Sequence, residues 1–441
     1  MMRNDQISVE FLNHASIILK YKDFSLLCDP WLEGDIYEGG WGLQYENPEA
    51  YDRAATCTHL WISHPHADHL HLPTLKRIAQ RNPNLRVLIN ISHSADIQDV
   101  VEAAGFKNVI PFHERKKMEM NSEVTLARYP SVSIDNMLLI HAGPWRVLNY
   151  NDCDLPQRAI RALMRKVGPI DIFLDNFNHA GKLLKISSDE STKRKFRQSF
   201  LDAVNIIGPK WVIPFASTHY YRYIGAFHQN NSMWTIEEIA KSDSRCVGLH
   251  VGDKVVFSVN EKPLLDRRFP PVSRRLLEPK QYDQTISWQE LVSAAKKHRD
   301  FLRHHFFGIT FWAPPLHILV EEQNKILIFD LSKGIHDAPE QEKLVHMVAH
   351  SKSLYYWFTK PFGVDALCIG ANFREASEDI RPIYRITFAG QLITNGVSLR
   401  QLAQMLMNPK KWSFFFNRRE YILNLFQGGG RYLYEQITRK S

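Results

Sequence analysis

Short runs of apolar residues, separated by polar turns, organise the first 260 residues of the chain. Before residue 105 they predict strands at 7–12, 15–20, 23–28, 59–63 and 86–91, with helices at 72–80 and 95–104. Beyond residue 120 they predict strands at 124–129, 137–141, 146–150, 170–174, 210–214 and 254–259, with helices at 156–166, 191–206 and 235–241. Strands and helices mixed in this way predict an α/β fold in which two sheets are covered by helices.

The composition changes at residues 261–285, where four prolines and several arginines fall close together. This change predicts a linker between a first domain, residues 1–260, and a second domain, residues 286–441. The second domain begins with a long predicted helix at 288–307 and a hairpin of strands at 316–322 and 325–330. Two further helices are predicted at 398–407 and 419–432, so this domain is expected to be a smaller α+β unit.

Composition and charge narrow the class of protein. Apolar residues make up 44% of the chain and charged residues 23%, which is typical of a globular protein. The five cysteines are scattered, which argues against a disulfide scaffold and predicts a reducing, cytoplasmic location. Residues 306–320, the most apolar later stretch, fall short of the roughly 18 residues that a membrane helix needs, so no membrane span is expected. The net charge of +8 suits an anionic small molecule, a membrane surface or nucleic acid, but a basic surface without a partner explains it equally well.

The segment that carries chemistry is residues 63–69, Ser-His-Pro-His-Ala-Asp-His, directly after a predicted strand. Neutral imidazoles and a carboxylate are ligands that suit zinc, iron or manganese. His64 and His66 can bind one ion while Asp68 and His69 bind a neighbour. Two ions about 3.5–4 Å apart can share and activate a water molecule at neutral pH. The motif therefore predicts a site for two divalent metal ions.

The motif resembles that of the metallo-β-lactamase superfamily, and three other segments are similar to it as well: residues 27–31, 148–153 and 213–219. The resemblance implies an αββα sandwich over residues 1–260. It also implies that Asp152 lies between the two metals, that Asp68 and Asp152 are the catalytic acids, and that His219 is a late metal ligand. His228 is the alternative to His219, because residues 220–227 could be an insertion.

More narrowly, the chain resembles the CMP-N-acetylneuraminate hydroxylase family and its relatives that lack a Rieske domain. The blocks that carry the resemblance are DPWLEG, SHPHADHLHLPTL, IDNMLLI, VLNYNDCD and IPFAS. The superfamily usually has a histidine before the strand of the bridging acid, but this chain has Asp135 there. Replacing an imidazole by a carboxylate makes the site harder, which favours iron or manganese over zinc. Asp135 as a simple turn residue is the alternative.

Two functions follow as hypotheses. The first is an oxygen-activating hydroxylase of an anionic sugar-nucleotide or amino-sugar substrate, as the hydroxylase resemblance implies. A Rieske cluster needs two cysteines and two histidines, and the sequence has one Cys-x-His motif, at residues 57–59, but no Cys-x-x-His motif. The electrons for oxygen activation are therefore expected from a separate donor protein. The second is a hydrolase of a phosphoester, amide or lactone that uses a metal-bridging hydroxide.

Candidate substrate contacts lie in polar segments near the predicted metal site. Asn176 and His179 belong to a polar loop directly after a predicted strand, where substrate-binding residues are common. His228 is the third candidate. The aromatic and basic residues at 410–419 are interpreted as helix packing rather than as a nucleic-acid surface. The expected partners are a small molecule and an electron-donor protein.

Overall fold

Two mixed β-sheets pack face to face in the first part of the molecule. The computed structural model describes residues 5–90, 97–131, 135–153, 155–181, 190–267, 275–305, 313–339 and 342–394, and at 190–192 it describes the backbone alone. In the first sheet the strand order is β17-β16-β1-β2-β3-β6-β7-β8. These strands are β1 Gln6–Asn13, β2 Ser16–Tyr21, β3 Phe24–Cys28, β6 His59–Ile62, β7 Arg86–Ile89, β8 Asn108–Pro111, β16 Lys254–Ser258 and β17 Leu264–Asp266.

The second sheet has the order β14-β13-β12-β11-β10-β9. Its strands are β9 Lys117–Glu119, β10 Val124–Pro130, β11 Asn136–Ala142, β12 Trp145–Asn151, β13 Ile172–Asn176 and β14 Trp211–Phe215. Half of each sheet is parallel: β3, β6, β7 and β8 in the first, and β12, β13 and β14 in the second. The parallel strands are joined by helices that cross the outer faces, as parallel pairing requires.

Alternating side chains divide between an inner core and two outer layers. On β2, Ile17 and Leu19 point into the core between the sheets, whereas Ile18 points to the outer layer. The outer layer of the first sheet is closed by α1 Ala50–Ala55, α2 Leu72–Arg81 and α3 Ile97–Ala104. That of the second sheet is closed by α4 Gln157–Val167, α5 Glu190–Ile207 and α6 Ile236–Ala240. The predicted α/β sandwich of two sheets covered by helices is therefore confirmed.

The helices and strands between Trp288 and Thr394 form a second body with a hydrophobic core of its own. Its five-stranded sheet has the order β20-β19-β18-β21-β22, with β18 Leu316–Val320, β19 Lys325–Asp330, β20 Gly334–Asp337, β21 Met347–Ala349 and β22 Arg374–Glu375. Its helices are α7 Trp288–His305, α8 Ser351–Thr359, α9 Gly363–Cys368 and α10 Arg381–Thr394. The described part of the second body is thus α+β, as predicted. The helices predicted at 398–407 and 419–432 lie outside the described residues.

A small third sheet joins the two bodies. It consists of β4 Asp35–Ile36, β5 Trp41–Leu43 and β15 His219–Tyr221, in the order β15-β5-β4. Elsewhere in the chain, short 3-10 turns lie at Phe227–Ser232 and Glu321–Gln323. Trp41 and Tyr221 of this sheet belong to one apolar cluster with Ala366 and Ala371 of the second body. This small sheet was missed, because strands of two or three residues carry no readable periodicity.

The segment predicted as a linker contains regular structure. β17 pairs with β16 and extends the first sheet, and farther along, the Arg275 amide donates to the Gln44 carbonyl over 2.8 Å. The division into residues 1–260, 261–285 and 286–441 stays a prediction. Among the described residues, none of the helices combines the length and the apolar character needed to cross a membrane.

Candidate metal centre

The loop after β6 lies where the carboxyl ends of several parallel strands meet. β3 and β6 end there in the first sheet, and β12, β13 and β14 end there in the second. Ligands commonly bind outside the carboxyl ends of such strands, since the connecting loops converge there. The loop is tightly folded, because the amides of His69 and Leu70 both donate to the carbonyl of His66, over 3.0 and 2.8 Å.

Four side chains meet in a first group: His64, His66, Asp135 and Asp152, with donor atoms within 4.8 Å of one another. His64 Nε2 lies 2.9 Å from His66 Nδ1, 3.4 Å from Asp135 Oδ1 and 3.6 Å from Asp152 Oδ2. Asp135 directly precedes β11 and Asp152 directly follows β12, so both carboxylates come from the second sheet. The histidines come from the first sheet, and the group therefore spans the two halves of the sandwich.

A second group consists of Asp68, His69 and Asp152. His69 Nε2 lies 3.0 Å from Asp68 Oδ2 and 3.6 Å from Asp152 Oδ2. Asp152 therefore belongs to both groups through the same oxygen atom. A carboxylate in this position can serve two ions at once, which is the arrangement of a dinuclear centre.

Asp29 and Ser63 orient the histidines. His64 Nδ1 lies 2.8 Å from Ser63 Oγ, which leaves Nε2 for the first group. His69 Nδ1 lies 3.2 Å from Asp29 Oδ2, which leaves Nε2 for the second group. Asp29 also accepts the Ser63 amide over 2.8 Å and the Asn151 side-chain amide over 2.9 Å. A carboxylate behind a ligating histidine fixes its ring orientation and raises its basicity.

Two further residues contact Asp68. His14 Nε2 lies 3.3 Å from Oδ2, and the Tyr37 hydroxyl donates to Oδ1 over 2.5 Å. Burial, and next the charge of Asp68, raise the pKa of Tyr37 well above its ordinary value, so its hydroxyl stays a donor. Burial lowers the pKa of His14, which keeps this ring neutral.

The charges of the second group favour a bound cation. Burial would raise the pKa of Asp68 and of Asp152. The positive charge of His69 holds the pKa of Asp68 well below the usual range, and the charges of His64 and then His69 do the same for Asp152. Burial would lower the pKa of His69, but the charges of Asp68 and Asp152 raise it well above its usual value. Asp68 and Asp152 thus share the positive charge of a protonated His69, and Asp152 also interacts with His64. A metal ion would replace that proton, so metal binding is expected to release it.

The donor set fits a pair of divalent ions. The two groups together offer three imidazoles and three carboxylates, which are ligands that suit iron, zinc and manganese. Asp152 Oδ1 is buried and has no hydrogen-bond partner within the described part of the chain. A buried polar atom without a partner costs free energy, and a bound ion would supply the missing interaction.

The structure places His219 beside the second group but outside both groups. Its ring stacks on Trp41 with centroids 3.7 Å apart and lies 5.3 Å from the ring of His14. Neither of its ring nitrogens has a hydrogen-bond partner among the described residues, and burial lowers its pKa well below the ordinary value. The role of His219 as a late ligand stays a prediction.

The three predicted substrate contacts differ in their exposure. His179 is 1% exposed, and both ring nitrogens contact protein groups, with Nδ1 2.9 Å from the Tyr221 hydroxyl and Nε2 3.2 Å from Ser232 Oγ. Asn176 ends β13 and is half-buried, whereas His228 lies in the turn at 227–232 and is exposed. Their contact with a substrate also stays a prediction.

The second body contributes an acid that the sequence analysis missed. Asp365 in α9 is buried, and its only side-chain hydrogen bond among the described residues is a long one, 3.5 Å from Gln391 Nε2. Burial raises the pKa of Asp365 to about 6, and the positive charge of His66 opposes this shift. Asp365 therefore interacts electrostatically with the first group from the other body.

Comparison with known proteins gives sequence relatives that are hydroxylases. Cytidine monophosphate-N-acetylneuraminic acid hydroxylase of Cricetulus griseus is 26% identical over 226 residues, which are 48% of this chain and 40% of the relative. The enzyme of Danio rerio is 25% identical over 262 residues, 54% of this chain and 43% of the relative. The chain resembles these hydroxylases. The predicted resemblance is thus confirmed, although the match spans only about two fifths of each relative's length.

Solved structures match with partial overlap. CmlA, a diiron β-hydroxylase from Streptomyces venezuelae, is 18% identical with a TM-score of 0.41, and the match covers 58% of this chain and 55% of CmlA. Igni18, a metallo hydrolase from Ignicoccus hospitalis, is 15% identical with a TM-score of 0.41, and the match covers 57% and 99%. No family model matches the chain. The hydroxylase relatives and the two groups of histidines and aspartates together support a dinuclear metal enzyme.

Proposed function

We propose that the chain is an oxygen-activating hydroxylase with two iron ions. The first group would hold one ion and the second group the other, with Asp152 as the shared ligand. The observation that carries the proposal is the position of Asp135, whose Oδ1 lies 3.4 Å from His64 Nε2 and 3.8 Å from His66 Nδ1. With the shared Asp152, the first group offers two imidazoles and two carboxylates, a hard donor set that favours iron or manganese over zinc.

The protein residues have separate tasks in this proposal. An iron pair, when bound, would supply the redox chemistry of oxygen activation with electrons from an external donor protein. Asp29 holds His69 in one ring orientation, and Ser63 does the same for His64. Asp68 and Asp152 keep the site anionic, because their lowered pKa values leave both carboxylates charged.

The substrate is proposed to be an anionic sugar nucleotide or amino sugar. The names of the sequence relatives support this class, and the net charge of +8 suits it. The side chains of His66 and Asp152 are 17% and 23% exposed, whereas those of His64 and His69 are fully buried. The substrate is therefore expected to approach from the side of His66 and Asp152.

Metal analysis joined to oxygen uptake tests the proposal. Protein purified without added metal is assayed for iron, zinc and manganese, and oxygen consumption is followed after addition of a chemical reductant. Two irons per chain with reductant-dependent uptake are expected. Two zincs per chain, with turnover of phosphodiesters or lactones in the absence of reductant, would instead favour the hydrolase.

A further inference from the structure

Residues 35–43 lie between the metal centre and the second body. The Asn372 side-chain amide, in the loop after α9, donates to the Tyr37 carbonyl over 2.6 Å and to the Ala366 carbonyl over 2.8 Å. A Cβ atom at Gly40 would lie only 2.4 Å from the carbonyl oxygen of Gly370. The two backbones are therefore in direct contact, and the second body fixes the path of this segment.

Tyr37 has a backbone conformation that tyrosine rarely adopts. Its φ is +53°, in the left-handed region, where a side chain other than that of glycine is strained. Such conformations persist where the surrounding structure enforces them, and they are frequent at functional sites. The enforcing contacts here are the hydrogen bond from Asn372 and the edge-on packing of the ring against Trp41, with centroids 5.1 Å apart.

The hydroxyl group of Tyr37 divides the two oxygens of Asp68 between different tasks. It donates to Oδ1 over 2.5 Å. Oδ2 lies 3.0 Å from His69 Nε2 and 3.3 Å from His14 Nε2. With Oδ1 engaged, rotation of the carboxylate about its Cβ–Cγ bond would break a buried hydrogen bond, so Oδ2 is held toward His69.

We propose that Tyr37 is a positioning residue that makes Asp68 a single-oxygen ligand through Oδ2, and that Asn372 holds Tyr37 in place. The second body thereby completes the metal centre of the sandwich. Because this role presupposes the two-metal site proposed above, it concerns the second group alone. The Tyr37 hydroxyl bonds Asp68, which is a member of the second group and not of the first.

Titration with Co²⁺ tests this role without relying on turnover. Full-length protein is freed of metal, titrated with Co²⁺ and followed by visible absorbance, which reports ligand number and geometry at each site. His66→Ala and His69→Ala serve as references, since each leaves one group intact and so assigns the two binding phases. Tyr37→Phe is expected to weaken Co²⁺ binding by the second group at least about tenfold and to alter the spectrum of that site. Binding by the first group should be unchanged.

The control is Tyr51→Phe, which removes another buried tyrosine hydroxyl, in α1, and is expected to change neither phase. Asn372→Ala is also expected to weaken Co²⁺ binding by the second group. This variant decides the test if Tyr37→Phe does not fold. Unchanged binding in the deciding variant, or equal weakening of both phases, would overturn the role of Tyr37. A wild-type protein that binds fewer than two Co²⁺ ions would instead overturn the two-metal site.

Discussion

The two groups of the metal centre differ in how firmly the protein holds them. In the second group, the side chains of Asp68 and His69 are 6% and 0% exposed, and Asp29, His14 and Tyr37 contact them from behind. In the first group, His66 and Asp135 are 17% and 14% exposed. A site that is ordered before binding loses less conformational freedom when the ligand arrives. We therefore expect the second group to bind its ion more firmly, and the first group to face the substrate.

Asp152→Ala should have the largest effect, because it removes the ligand that the two groups share. Its Oδ2 atom lies 3.6 Å both from His64 Nε2 and from His69 Nε2. Metal content, measured by elemental analysis after gel filtration, is expected to fall from two ions to nearly none. Asp171→Ala is the matched control, since Asp171 bonds Arg146 and Lys210 at the opposite end of the parallel strands of the same sheet. Retention of one full equivalent of metal in Asp152→Ala would show that Asp152 belongs to a single group.

Asp29→Asn should separate the two groups. The amide can still accept from the Ser63 amide, but His69 Nδ1 loses its carboxylate partner. The affinity of the second group is expected to fall roughly 10–100-fold, the usual result when such a supporting residue is changed. The metal affinity of the first group should fall much less. A metal titration that resolves the two groups would measure both affinities. Ser63→Ala is the complementary variant. Ser63 Oγ lies 2.8 Å from His64 Nδ1 but 3.5 Å from His69 Nδ1, so the first group should weaken more. If each variant weakened both groups equally, the idea that Asp29 and Ser63 support different groups would be wrong.

The parts of the centre that could be predicted from the sequence are those carried by one short segment. Residues 63–69 hold four candidate ligands within seven positions, so their types and spacing alone indicate a metal site. Asp135 and Asp152 needed the resemblance to a known family, since single acids before or after a strand are common. The structure brings both to the motif, although their role as ligands is still a prediction.

The supporting residues could not be predicted, because their contacts join distant parts of the chain. Tyr37 is held by Asn372, 335 positions away, and Asp365 of the other body interacts electrostatically with His66. The small third sheet was missed for the same reason: His219 in β15 pairs with Leu43 in β5. Neither short strand has enough residues for alternation to be read, and pairing across that separation leaves no local pattern.

Asp365→Asn should have the smallest effect on the metal centre, leaving both ions bound, and it tests how the second body acts on the first group. The pKa of Asp365 rises to about 6 in the folded protein, so the folded state binds more protons than the unfolded state between about pH 4 and 6. Stability from this group is thus lost as the pH rises through that window. The variant has no such loss. Its free energy of unfolding, relative to that of the wild type, should therefore rise with pH by at most about 3 kcal/mol up to pH 8. Each pKa unit is worth about 1.4 kcal/mol, and the pKa of Asp365 is about 6 instead of the ordinary 3.8.

Chemical unfolding of metal-free protein at pH 5 and pH 8 measures this difference for Asp365→Asn. Asp379→Asn is the control in the same body, because the hydrogen bond from Arg381 lowers the pKa of Asp379 to about 2. Between pH 5 and 8 that carboxyl stays charged, so the effect of Asp379→Asn on the free energy of unfolding should not vary with pH. A pH-independent effect of Asp365→Asn as well would mean that Asp365 contributes only through packing. The second body would then act on the metal centre through Asn372 and Tyr37 rather than through a buried charge.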